Sequence, residues 1–150
     1  MELTLRTYEY GSSDYRKALI LRNQVLSLQP GVNEISVEAV FDSHLQEREH
    51  MLLGAFQGDA LIATLNLQKQ EDGSLLLRQF AVFTPMQGTG IGSRLIRFAH
   101  EYAKSQGYRR IWLHSRLPAV KFYQRAGYRL TGIRNVYPEI TLDEMVIDLE

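Results

Sequence analysis

The sequence predicts a single α/β (α+β) domain, residues 1–150, in which helices flank a mixed and mostly antiparallel sheet. Three strand patterns, joined by tight turns, stand in a row before a glycine-rich turn. A helix pattern follows that turn and provides one crossover, so the strands on either side of it are expected to be parallel. Two more strand patterns close the chain. A chain of 150 residues can bury a full core as one domain.

The N-terminal part of the chain predicts one strand and two helices. Residues 3–7 alternate between apolar and polar side chains, which is typical of a short strand. A turn at 11–14 can cap a helix, whose apolar residues recur at helical spacing until Pro30-Gly31 stops it. A second helical segment is expected at 37–44.

The middle of the chain predicts three antiparallel strands. Asp72-Gly73 is a strong hairpin signal, and Gly58-Asp59 makes a second tight turn. The strands that these turns separate are expected at 50–57, 60–69 and 74–83. The apolar residues expected on one face of the second strand are Leu61, Ala63, Leu65 and Leu67.

The C-terminal part predicts two helices and three strands. Apolar residues from Ile91 to Ala103 form a stripe at helical spacing, and Gly107 suits the end of that helix. Pro118 can open a further helix that ends at Gly127. The three strands are expected at 111–114, 129–133 and 145–149.

Composition argues against several classes of protein and site. Lys and Arg together number 17, as do Asp and Glu, so nothing suggests attraction to nucleic acid or to an acidic membrane. The chain has no cysteine, and its four histidines lack paired spacing, so no metal site is expected. It shows neither a signal-peptide pattern nor an apolar run of about 20 residues, so the expected location is cytoplasmic.

The most informative stretch is the glycine-rich turn Gln87-Gly88-Thr89-Gly90-Ile91-Gly92, where a strand passes into a helix. Glycines leave backbone N–H groups open to close approach by a ligand. The start of a helix adds unpaired N–H donors and the positive end of its dipole. Together these features predict a site for an anion such as a pyrophosphate.

Three kinds of phosphate carrier are alternatives for this turn. A nucleotide bound by a P-loop is excluded because no Lys-Ser or Lys-Thr follows the glycines. A dinucleotide fingerprint fails at Ser93, and the next strand ends in Arg116 rather than an acidic residue, although an arginine could suit NADP. The three preceding antiparallel strands also argue against a doubly wound sheet. The third carrier is an acyl-coenzyme A.

Two motifs resemble those of the GCN5-related N-acetyltransferase (GNAT) family. The first is Gln87-x-x-Gly90-x-Gly92, and the second is the segment 119–128, which looks like the family's A-x-x-F-Y-x-x-x-G-F/Y. The order of predicted elements matches over nearly the whole chain. The resemblance implies a mixed sheet whose parallel strand pair splays apart at a bulge beside the coenzyme site. Many members carry Asn three residues before the alanine of the second motif, where it contacts the coenzyme. This chain departs from the pattern with Arg116 at that position.

The resemblance implies a binding site for acetyl-CoA. Backbone groups of the strand before the turn would pair with the pantetheine arm, and the Val82 N–H would polarise the thioester carbonyl. The pyrophosphate would lie against the turn, and Ser93 would donate its hydroxyl. The residues implied to bind the coenzyme are Phe80, Ala81, Val82, Gln87, Gly88, Thr89, Gly90, Ile91, Gly92 and Ser93.

The resemblance also implies direct attack of a neutral amine on the thioester, which needs a base and an acid. Tyr123 takes the family's position for the acid, the alternative being a packed aromatic without a chemical role. His114, near the end of a strand that faces the expected cleft, is the candidate base, the alternative being a surface histidine. Water could also remove the proton. Further candidates for the base or the acceptor pocket are Glu34, Glu38, Asp42 and His44.

The activity implied is acetyl-CoA-dependent N-acetylation of a primary amine on a small molecule or peptide, with no metal. The expected partners are the coenzyme A thioester and the amine acceptor. The oligomeric state is left open, with a homodimer as one alternative because the family is often dimeric. Two rivals remain, a non-catalytic acyl-CoA-binding module of the same fold and an NADP-binding enzyme. The segment 29–49 carries no motif that identifies the acceptor.

Overall fold

The computed structural model describes residues 2–26 and 45–150. Within these ranges the helices are α1 (Ser13–Leu26), α2 (Ile91–Ser105) and α3 (Val120–Arg125). None of these helices is long and apolar enough to cross a membrane. Short 3-10 helices lie at Leu45–Glu49, Thr84–Met86 and Leu117–Ala119. The strands are β1 (Leu3–Thr7), β2 (Met51–Gln57), β3 (Ala60–Lys69), β4 (Leu75–Val82), β5 (Arg110–Arg116), β6 (Arg129–Val136) and β7 (Thr141–Asp148).

The strands form one seven-stranded sheet in the order β1-β2-β3-β4-β5-β7-β6. Every neighbouring pair is antiparallel except β4 and β5, which confirms the predicted mixed sheet. The parallel pairing is short, since only Leu75 with Ile111 and Leu76 with Trp112 are in register. Beyond those pairs the two strands splay apart, as the family resemblance implied.

A bulge in β4 accompanies this divergence. Leu65 of β3 stands alone opposite Gln79 and Phe80, because Asn66 pairs with Arg78 and Thr64 with Ala81. Gln79 has a φ of 56°, a left-handed conformation that a non-glycine residue rarely adopts. The extra residue reverses the alternation of side chains along the last part of β4.

The core lies on both faces of the sheet. On one face the buried residues of α2 pack against β2 to β5, with Leu95, Ile96 and Ala99 fully buried. On the other face α1 contributes Tyr15 and Leu19 to a smaller cluster. Burial on both faces explains why the central strands are almost continuously apolar.

One predicted strand face was wrong. Ala63, Leu65 and Leu67 lie in the core cluster on the α2 face, but Leu61 packs on the α1 face. The β2–β3 register shifts between Ala55 and Phe56, so Ile62 is an extra residue in the ladder. An inserted residue moves every preceding side chain to the opposite face.

Most predicted boundaries are confirmed, with three corrections. The first is that β6 ends at Val136 rather than at residue 133. Gly107 and Gly127 both follow helices with positive φ, and the N–H of the next residue donates to the helix in each case. Pro118 lies in a 3-10 helix that precedes α3 instead of opening α3 itself. The last strand begins at Thr141 rather than at residue 145, because it pairs with β5 along that strand's full length.

Two predictions fall on residues that the structure does not describe. These are the helix stop at Pro30-Gly31 and the second helix at 37–44.

A buried ion pair holds α1 against the segment before β2. The Arg22 guanidinium donates to both carboxylate oxygens of Glu47 at 2.9 Å, and the Tyr15 hydroxyl donates to the same carboxylate at 2.7 Å. All three residues are buried. This network fixes the position of α1, whose last residues reach the candidate site.

Candidate active site

A cavity of about 900 Å³ opens where β4 and β5 diverge. The start of α2 and the residues of α3 close its sides, and Val25 and Leu26 of α1 contribute to its wall. It brings together most of the residues that the sequence proposed, namely Phe80, Ala81, Val82, Gln87, Gly88, Gly90, Gly92, Ser93, His114 and Tyr123. Of the same set, Thr89 and Ile91 do not line it.

The glycine-rich turn has the backbone that its sequence predicted. Gly88 and Gly90 have φ values of 82° and 89°, and space beyond both of them is open. Gly90 caps α2 without any side-chain hydrogen bond, so the N–H groups of the first helical turn are left for a ligand. A Cβ on Gly92 would lie 3.2 Å from the Phe80 ring and 3.4 Å from Val82, so this glycine permits close packing.

The side chains of the turn hold its own backbone. The Gln87 amide donates to the Val82 carbonyl at 3.0 Å, and the Thr89 hydroxyl donates to the Met86 carbonyl. Ile91 is buried in the core cluster. Gln87 and Thr89 therefore shape the turn, and the backbone N–H groups are the donors that the turn leaves open.

The end of β4 presents a backbone donor to the cavity. The Phe83 N–H donates to Ile62 of β3 at 2.8 Å. Backbone groups of successive strand residues point to opposite sides, so the Val82 N–H points away from β3, toward the gap between β4 and β5.

Tyr123 lies on α3 and is buried, with 9% of its surface exposed at the cavity wall. Its ring packs against those of Phe80, Phe122 and Tyr128, at centroid distances of 6.3, 5.2 and 5.8 Å. Burial raises the pKa of the Tyr123 phenol well above its ordinary value. The phenol is therefore protonated at neutral pH.

His114 lies near the end of β5, is exposed and lines the cavity. The fold thus places His114 and Tyr123 at one cavity, on different elements. The other candidates for the base or the acceptor pocket, Glu34, Glu38, Asp42 and His44, lie outside the described residues.

Comparison with known proteins agrees with this geometry. A sequence profile of the acetyltransferase (GNAT) family matches residues 18–128, most of the chain. The chain belongs to the GNAT family. The resemblance drawn from the two motifs is confirmed.

Solved acetyltransferase structures share the fold over the whole chain. One from Lactobacillus plantarum, assigned as an N-acetyltransferase, superposes with a TM-score of 0.83, 24% identity and full coverage of both chains. The Escherichia coli ribosomal-protein-S18-alanine N-acetyltransferase gives 0.78 at 20% identity, covering 99% of this chain and 95% of its own. An aminoglycoside 6′-N-acetyltransferase complexed with coenzyme A gives 0.76 at 15%, covering 98% and 97%. At these identities the likeness establishes the fold.

Sequence reasoning missed a hydrogen-bonded pair behind the GNAT site. His100 of α2 has its Nε2 atom 2.9 Å from the Tyr128 hydroxyl, and Tyr128 packs edge-on against Tyr123. Burial lowers the pKa of His100 to about 4, so this histidine is neutral at pH 7. Tyr128 ends the second motif, but nothing in the sequence linked it to a histidine 28 residues away.

Sequence reasoning also missed Gln79 and Arg78, which line the cavity beside the β4 bulge. The family resemblance implied a bulge in this strand, but the bulge carries no glycine, so no residue pattern marked its position. No group of three or more His, Asp or Glu residues in 2–26 and 45–150 is placed to hold a metal ion.

Proposed function

We propose that this GNAT protein transfers an acetyl group from acetyl-CoA to a primary amine. One observation carries the proposal: the glycine-rich turn, the free edge of β4, His114 and Tyr123 all line one cavity. Each supplies a different function that the reaction needs. A relative of this fold from Salmonella typhimurium was solved with its cofactor acetyl-CoA, and it superposes with a TM-score of 0.80 at 11% identity.

Backbone groups would bind the coenzyme. The N–H groups at the start of α2 donate to the pyrophosphate oxygens, because four unpaired donors and the helix dipole converge there. The free edge at Phe80–Val82 hydrogen-bonds the pantetheine arm as a neighbouring strand would. The Val82 N–H donates to the thioester oxygen, which gains negative charge as the amine attacks.

Two side chains would move protons. The neutral amine attacks the thioester carbon, so a C–N bond forms while the C–S bond breaks. His114 takes the proton that the attacking nitrogen loses, directly or through one water. Tyr123 donates its phenolic proton to the departing sulfur, whose thiol has a pKa of about 8.5. Burial raises the pKa of the phenol, so it is protonated at neutral pH, and the desolvation that weakens this acid also makes the departing sulfur a stronger base.

The first test is thermal unfolding with and without acetyl-CoA, with NADPH as the control ligand. Acetyl-CoA at about 100 times its dissociation constant is expected to add about 2.7 kcal/mol to the free energy of unfolding. That corresponds to a rise of about 5–10 °C in Tm for a domain of this size. A shift with NADPH alone would point to the dinucleotide alternative, and no shift with either ligand would contradict the proposal.

The second test separates the enzyme from a non-catalytic binding module. Release of free thiol from acetyl-CoA is followed in the presence and absence of primary amines. Amine-dependent release, with the acetylated amine identified by mass spectrometry, is the expected result. Tight acetyl-CoA binding without transfer to any amine would favour the binding module.

A further inference from the structure

The charged side chains that line the cavity have one sign. In the part of the chain that the structure describes, these are Arg78 and Arg116, and no aspartate or glutamate lines the cavity. The described wall of the cavity thus offers cations, and His114 lies two residues before Arg116 on β5.

Both arginines lie on the face of the sheet opposite the glycine-rich turn. Leu77 and Leu113 pack into the core on the α2 face, and side chains alternate along a strand. Arg78 and Arg116 therefore project on the α1 face, as does His114. The coenzyme site at the start of α2 and the two arginines open on different sides of the cavity.

The guanidinium of Arg116 has no ion pair or hydrogen bond to residues 2–26 or 45–150, and Arg116 is only half-exposed. Arg78 has one long hydrogen bond, from Nη1 to the Gln68 amide oxygen at 3.3 Å. By contrast, Arg134 at the same end of the sheet is paired bidentately with Asp143. The two arginines are thus available to an anion, and a guanidinium matches carboxylates and phosphates in shape.

We propose that the acceptor is a small primary amine that carries an anionic group, a carboxylate or a phosphate, bound by Arg116 with Arg78 on the α1 face. This inference rests on the proposed acetyltransferase function and names its substrate class. Binding the anion there holds the amine on the same face as His114. A cavity of about 900 Å³ is of the size that holds a small ligand, and it also has to receive the thioester.

The test compares matched amines with and without the anionic group. Each of phenylalanine, tyrosine and tryptophan is paired with the amine left by its decarboxylation, and O-phosphoethanolamine is paired with ethanolamine. The anionic member of a pair is expected to have the higher kcat/KM by about tenfold or more. The amino acid pairs report on a carboxylate, and the phosphoethanolamine pair reports on a phosphate.

Variants then assign the preference to Arg116. In Arg116→Gln the KM of the anionic amine is expected to rise about tenfold or more, while the calorimetric Kd of acetyl-CoA stays unchanged. Arg78→Gln is expected to act in the same direction. Arg125→Gln is the control, because Arg125 is exposed on α3 and does not line the cavity.

Three results would overturn the inference. The first is faster acetylation of the amine that lacks the anionic group in each pair. The second is a weaker acetyl-CoA Kd in Arg116→Gln with the acceptor KM unchanged, which would assign Arg116 to the coenzyme. The third is acetyl-CoA binding without acetylation of any anionic amine. Failure of acetyl-CoA to bind at all would instead contradict the proposed function.

Discussion

At the scale of single residues, Tyr123 lines the cavity with a phenol that is protonated at neutral pH, as a proton donor must be. Its ring is held by aromatic neighbours, and burial raises the pKa of its hydroxyl, which makes the free phenol a weaker acid. The same desolvation makes a departing thiolate a stronger base, so the role depends on transfer inside the closed site. Because the same packing would also suit a purely structural tyrosine, only removal of the hydroxyl separates the two roles.

Tyr123→Phe keeps the ring and removes the hydroxyl. We expect kcat to fall by about 100-fold or more, because general acid catalysis contributes about that much, with the Kd of acetyl-CoA nearly unchanged. Steady-state kinetics and calorimetry check both quantities. Tyr102→Phe is the control, since Tyr102 lies on α2 away from the cavity and stacks on Phe98. Equal turnover in wild type and Tyr123→Phe would remove Tyr123 as the acid.

His100 makes the stability of the protein depend on pH. Its pKa is about 4 in the folded protein and about 6.5 when unfolded, so the unfolded chain takes up the proton first as pH falls. Its contribution is complete above about pH 6.5 and is lost as pH falls toward 4. The free energy of unfolding is expected to fall by about 2 kcal/mol between about pH 7.5 and pH 5.

His100→Gln tests this dependence, because the Gln oxygen can still accept from the Tyr128 hydroxyl. Urea unfolding of the variant is expected to give a free energy that changes little between about pH 7.5 and pH 5. The Asp143 and Asp148 carboxylates, whose pKa values are lowered by hydrogen bonds from arginines, lose their contribution only below that window. A variant that declines as steeply as the wild type would contradict the assignment to His100.

At the scale of elements, the turn before α2 has two separable properties, its strained backbone and its position at the cavity. Gly90 and Gly107 flank opposite ends of α2 with φ values of 89° and 90°, and open space surrounds both. A side chain at either position is therefore strained by its backbone alone. Only Gly90 is next to the N–H groups proposed to bind the pyrophosphate.

Gly90→Ala and Gly107→Ala form a matched pair. Both are expected to lose about 1–2 kcal/mol of stability, the cost of a left-handed conformation for alanine. Gly90→Ala alone is expected to weaken acetyl-CoA binding by about tenfold or more, since relief of the strain turns the N–H groups away from the anion. Urea unfolding and calorimetry give the two numbers. Equal loss of acetyl-CoA affinity in both variants would contradict a specific role for the turn.

Local patterns explain how much of the fold and site was predictable. Features that depend on residues close together in the sequence were predicted. These are the turn at Gln87–Gly92, the segment ending in Gly127-Tyr128 and the order of the elements. The family resemblance implied a bulge in β4, but no residue pattern gave its position, and nothing indicated the β3 bulge. The extra residues, Gln79 and Ile62, are not glycines, and both bulges arise from the fit between strands. Those bulges decide which face Leu61 occupies and where the sheet opens, so the placement of Arg78 was also missed.

At the scale of the whole molecule, the Arg22–Glu47 pair affects the stability of the entire domain. Folded domains are stable by only about 5–15 kcal/mol, so a buried charge left without its partner removes a large share. This pair joins α1 to the segment before β2, with side chains only 3% and 4% exposed.

Glu47→Gln is expected to reduce the free energy of unfolding by about 3–5 kcal/mol, because it leaves the Arg22 charge buried and weakly paired. Asp14→Asn is the control, since its ion pairs with Arg6 and Lys17 lie at the surface and contribute about 0–1 kcal/mol. Urea unfolding measures both. Losses of similar size in the two variants would show that burial of the pair does not matter.

The divergence of β4 and β5 makes the stability of the protein depend on ligand binding. Only two residue pairs hold these strands in register, so main-chain continuity of the sheet is lowest beside the cavity. A ligand that hydrogen-bonds the free edge of β4 would stabilise the sheet at this gap. Any ligand that binds only the folded chain also lowers the unfolded fraction on which proteases act. The lifetime of the protein in a cell would then follow the supply of the molecule that fills the gap.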